Sequence, residues 1–118
     1  MSRKTEKEKK EKMKVYELIT MVNSIKSNSI PEDTKLRNIN EVEARIFCDI
    51  YKKRPEEYCE KNSLSDELML PSPFHKIYIT YLLAMEELAA GEHEAYRTLM
   101  AEYEQAFSDY AKYCIRNR

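Results

Sequence analysis

A single glycine, Gly91, occurs in the 118 residues, and it stands between two long stretches that each carry a helical pattern. A β-sandwich needs many tight turns and the glycines that make them, so one Gly among 42% apolar and 35% charged residues points to a helical protein. Before Gly91, the run 77–90 is apolar on nearly every side as far as Ala84, which predicts the central and most buried helix. Gly91 supplies the left-handed position that ends it. After it, roughly over 93–116, Tyr96, Leu99, Tyr103, Ala106, Tyr110 and Tyr113 alternate by three and four residues. That spacing predicts a second helix lying antiparallel on the first, as a hairpin closed by a tight turn.

Two further helices are predicted in the first half. Val15, Tyr16, Leu18, Ile19, Met21, Val22 and Ile25 supply partners on one helical face, giving a first helix that starts near Met13 and ends around Lys26. Ser29 as a cap, Pro31, Glu32 and Asp33 mark the start of the second, which is expected to run to about Lys53, ahead of Pro55. Its Leu36, Ile39, Phe47 and Ile50 are expected to meet the first helix. Residues 54–66 are polar and unperiodic, with room for one helical turn over 56–60. Residues 67–70 read as extended, and no partner strand is visible in the chain. The segment either pairs with another chain or packs as an apolar loop. The expected fold is all-α: one four-helix bundle-like domain over 15–116, with a C-terminal helical hairpin and a short extended segment near 67–70.

Charge is distributed unevenly. Residues 1–14 hold seven Lys or Arg against three Glu, a net +4, while the whole chain has −1, so the remainder carries −5. With Met13 as its one apolar residue after Ser2, this arm is expected to be flexible and unpacked. Its Lys4, Lys7, Lys9, Lys10 and Lys12 are candidates for contact with nucleic-acid phosphates, although the interleaved Glu6, Glu8 and Glu11 weaken that reading. No apolar run reaches the roughly 18 residues of a membrane span, and no signal-peptide core is visible, so an intracellular protein is expected.

The sequence carries no phosphate-binding glycine loop and no hydrolase or metalloprotease motif. No enzymatic activity, cofactor, metal or small-molecule substrate is expected. Cys48, Cys59 and Cys114 are odd in number and widely spaced, which favours reduced thiols over disulfides or a zinc site. His75 and His93 read as exposed helix-end histidines, and Glu86, Glu87, Glu102 and Glu104 as solvated helix edges. The nine tyrosines are more suggestive. Tyr96, Tyr103 and Tyr110 recur every seven residues and either fill a core or form an interface stripe.

One stretch is especially particular: Asp66-Glu67-Leu68-Met69-Leu70-Pro71-Ser72-Pro73-Phe74-His75-Lys76-Ile77-Tyr78. With Val15-Tyr16-Glu17-Leu18-Ile19, Ile39-Asn40-Glu41-Val42-Glu43-Ala44-Arg45-Ile46, Ala90-Gly91-Glu92 and the aromatics Tyr96, Phe107, Tyr110 and Tyr113, it resembles the head-tail connector (adaptor) proteins of tailed bacteriophages. The resemblance covers roughly 15–113. It implies a helical body whose copies form a ring beneath the portal and line the DNA channel, with the virion as its final location. Glu67, Leu68, Met69, Leu70, Pro71, Pro73, Phe74, Tyr103, Tyr110 and Tyr113 are then candidates for the contact with other copies or with the portal, and the arm lysines for contact with portal or genomic DNA. Two other classes remain open: a small helical regulator that binds one protein partner through a groove, and a nucleic-acid-binding accessory protein using the Lys-rich arm.

Overall fold

The computed structural model describes residues 12–26 and 30–117. In order these form β1 (Lys12–Lys14), α1 (Val15–Ile25), α2 (Glu32–Arg45) running on into a π turn (Ile46–Ile50), a 3-10 turn (Pro55–Glu57), β2 (Glu67–Pro71), α3 (Lys76–Ala89) and α4 (His93–Arg116). The protein is mainly helical, with one small two-stranded sheet among the described residues.

The sheet corrects the reading of both its strands. β2 does have a partner in its own chain: β1 pairs with it antiparallel, Lys12 opposite Pro71 and Lys14 opposite Glu67, with a bulge between. The last three residues of the basic arm therefore belong to the folded body, and Met13 packs against the core. Lys4, Lys7, Lys9 and Lys10 lie outside the described residues. β2 alternates as a half-covered strand should, with Leu68 and Leu70 turned inward and Glu67 outward.

Helix α1 begins where β1 ends. Its first free amides are taken up by the loop before β2, Val15 N–H donating to Asp66 O at 2.9 Å and Tyr16 N–H to Leu64 O at 3.0 Å, while the Glu17 carboxylate accepts from Lys14 N–H at 2.9 Å. Val15, Leu18, Ile19 and Val22 form the buried face. Helix α2 starts after Pro31, with Glu32 and Asp33 at its positive end; Ser29, the expected cap, lies outside the described residues. α2 also ends earlier than its pattern suggests. Tyr51 N–H donates to Ile46 O at 3.0 Å, five residues back, and Lys52 then takes a φ of 59° that halts the helix. Phe47 consequently faces Tyr58, ring centroids 5.7 Å apart, rather than α1. The turn expected over 56–60 forms at Pro55–Glu57 instead.

Helix α3 touches α1, α2 and α4, as its all-round apolar character requires. It closes in a Schellman arrangement in which Glu92 N–H donates to Glu87 O at 2.9 Å and Gly91 N–H to Leu88 O at 3.1 Å, with Gly91 at φ 78°. α4 folds back along α3, and Tyr81 against Tyr103 and Phe74 against Tyr113 fix the antiparallel register at 5.0 and 4.8 Å between ring centroids. Arg45 straps α2 to this hairpin. Its guanidinium donates to both oxygens of Glu104 at 2.9–3.0 Å and lies 3.8 Å from the Phe107 ring centre.

Candidate functional site

The residues singled out from the sequence separate into two groups. Leu68, Leu70, Tyr103 and Tyr110 are buried in the chain's own core, so their side chains are not surface for another copy. The reason is that the inner face of β2 and the α4 residues Tyr103, Phe107 and Tyr110 join one core cluster with α1, α2 and α3. Met69, Pro71 and Phe74 are half-buried, while Glu67, Pro73 and Tyr113 remain exposed. Phe74 lies between Tyr110 and Tyr113, at 4.6 and 4.8 Å, so a Pro73–Phe74–Tyr113 corner is what the surface keeps of the predicted interface. Lys12 is exposed on β1.

Beneath that corner is a polar centre that sequence reasoning missed. Glu43 has no exposed surface, yet its carboxylate accepts from Tyr78 OH at 2.7 Å, Tyr58 OH at 2.9 Å and Met69 N–H at 2.6 Å, and pairs with Lys61 Nζ at 3.2 Å. Tyr78 OH in turn accepts from Leu70 N–H at 3.1 Å. Burial, followed by the adjacent Glu43 charge and the bond to it, holds the Tyr78 phenol well above its ordinary range. Tyr58 is raised for the same causes. Both phenols stay protonated at neutral pH and serve as donors. One carboxylate thus fastens α2, the 54–66 segment, β2 and α3 together. The signal was present in the sequence, since Glu43 shares the α2 face of Ile39 and Ile46 at helical spacing.

Lys35 and Glu86 form a second buried pair, 3.2 Å apart and each about 1% exposed, with Asn23 also bonded to Lys35. Glu86 is therefore not part of a solvated edge, because α1 and α2 close over that face of α3. Glu87 is mostly covered and pairs with Lys26 at 3.0 Å. His75 is half-buried rather than exposed, its Nε2 lying 3.0 Å from Leu70 O; His93 is exposed.

Two of the open clefts among the described residues exceed 500 Å³. One, about 580 Å³, runs between α2 and the 58–62 segment and is lined by charges of both signs. The other, about 560 Å³, lies between the end of α2 and the last turns of α4, lined by Ile50, Tyr51, Lys52, Lys53, Tyr113 and Cys114 among others. The OH of Tyr51, one of its lining residues, is 2.6 Å from that of the buried Tyr110, and both phenols are raised above their ordinary range chiefly by burial. Among the described residues no group of three or more His, Cys, Asp and Glu is placed to hold a metal ion, the three cysteines are free, and no helix is long and apolar enough to cross a membrane. Compared with known proteins, the chain matches no family model, no curated protein and no solved structure.

Proposed function

We propose that the protein is a non-enzymatic assembly protein, a head-tail connector that docks as a helical-bundle body on the portal of a tailed bacteriophage and helps line the DNA channel. The observation that carries this reading is the distribution of exposed apolar side chains on a body whose polar interior is closed. Tyr16, Met21, Ile25, Leu64, Leu88, Tyr113 and Ile115 each leave more than a third of their surface in water. Large apolar side chains so placed fit a surface that other subunits cover. The Pro73–Phe74–Tyr113 corner, built from the stretch that resembles connectors, supplies the rigid aromatic part of it.

Copies arranged around a common axis would bring together the basic arms, each +4 over residues 1–14, and a modest charge per chain becomes a strong field facing the genome. The reading is tested by mixing the purified chain with the portal ring encoded alongside it and separating complexes by size. Stable co-migration is the expected result. A chain that never co-migrates with that portal, while capturing a partner unrelated to virions, would replace this reading with that of a small helical interaction module.

A further inference from the structure

Among the described residues the two most exposed large apolar side chains, Ile115 at 61% and Ile25 at 58%, lie at opposite ends of the molecule. Ile115 is in the last turn of α4, whose Tyr113 and Cys114 line the cleft with Lys52 and Lys53 while Ile115 lies on the helix's other face. Ile25 ends α1 next to Lys26, whose pairing with Glu87 puts it at the α3–α4 turn, where Leu88 is 42% exposed. The 24 residues of α4 separate these ends, about 36 Å at the usual rise of an α-helix.

The ends differ in charge. The cleft end is basic: Lys52 and Lys53 line it and are exposed without an ion pair among the described residues. The turn end is acidic, with Glu92 and Glu94 exposed beside Leu88 and without ion pairs among the described residues; Arg97 is the basic residue one turn further along α4. Lys52, held at φ 59°, fixes the corner that brings the two lysines to the rim.

We infer that copies of this chain associate head to tail, the acidic, apolar α3–α4 turn of one copy seating in the basic, apolar cleft between α2 and α4 of the next. The inference rests on the assembly reading in its premise that copies meet, and adds which surfaces do so. The contact is heterologous: each copy keeps one turn and one cleft free, so the assembly either closes as a ring or grows as a filament.

Two charge-reversed chains test it by sedimentation velocity at low salt. Lys52→Glu/Lys53→Glu has two acidic ends, and Glu92→Lys/Glu94→Lys has two basic ones; all four positions are exposed, and circular dichroism checks that each variant keeps its helices. The wild type is expected to self-associate, with association weakened by high salt and by Leu88→Ser. Each variant alone is expected to stay monomeric, while an equal mixture forms alternating assemblies. A wild type that remains monomeric at every concentration, or variants that associate alone as well as the wild type does, would overturn the contact. Portal binding by a monomeric wild type would overturn it too, while leaving the connector reading in place.

Discussion

Tyr78 donates a 2.7 Å hydrogen bond to the carboxylate of Glu43, and neither residue has any exposed surface. A buried carboxylate is tolerated only when nearly all of its acceptor capacity is used, and here two phenols, a backbone amide and a lysine use it. Glu43→Ala leaves these partners without their acceptor and is expected to lower unfolding stability by about 3–5 kcal/mol. Tyr78→Phe, which leaves one carboxylate bond and the Leu70 amide unmet, should cost about 1–3 kcal/mol. Urea unfolding followed by circular dichroism measures both. A Glu43→Ala protein as stable as the wild type would refute the network's role.

Lys35 and Glu86 pose a different question, since pairs of charges this deeply buried often stabilise no more than apolar residues of the same volume. Glu86→Leu alone is expected to destabilise by about 3 kcal/mol or more, and Lys35→Met/Glu86→Leu to recover most of that loss. Equal losses in the single and double variants would contradict this assignment.

Alkaline titration has a definite sign. Burial, as the largest cause, raises the Tyr78 and Tyr58 phenols above the ordinary value of 10.0, and Tyr51, Tyr81, Tyr103 and Tyr110 move the same way. The unfolded chain therefore loses phenol protons first. The stabilisation from these groups is complete below the unfolded value near 10 and is lost as pH rises from there through the folded values. Phenolate absorbance of the native protein should lag that of the chain in denaturant, and its late component should appear together with loss of helix. Coincident titration curves in the two states would contradict the burial of these phenols.

The helical framework was legible because period and punctuation agreed. Apolar residues three and four apart marked all four helices, and one glycine marked the hairpin turn that the structure places at φ 78°. β1 was not legible, because Lys12-Met13-Lys14 is too short to show alternation and its pairing with Glu67–Pro71 is long-range. The premature end of α2 was hidden for a related reason: a π turn keeps the composition of a helix while shifting its register. At the candidate site, exposure of Pro73 and Tyr113 could be anticipated, but the inward turn of Leu68, Leu70, Tyr103 and Tyr110 depended on which elements cover them. Glu43, Lys35 and Glu86 were missed because a charged residue on a helix is ordinarily solvated.

The strand pairing makes the boundary of the arm measurable. Deleting residues 1–11 keeps β1, and stability should hold within about 0.5 kcal/mol. Deleting 1–14 removes the partner of β2 and the packing of Met13, and should cost about 2 kcal/mol or more with faster amide exchange at Leu68 and Leu70. Equal stability of the two truncations would show that β1 contributes nothing.

A β-carbon at Gly91 would meet nothing within 4 Å, so the cost of Gly91→Ala is conformational alone. About 1–2 kcal/mol of destabilisation is expected, and less for Gly91→Asn.

The connector reading, which assigns the gene to a tailed phage, is tested most directly by the particles made when that gene is deleted. DNA-filled heads and complete tails that fail to join are expected, with joining restored when the purified protein is added. Infectious particles formed at the normal yield without the protein would contradict it.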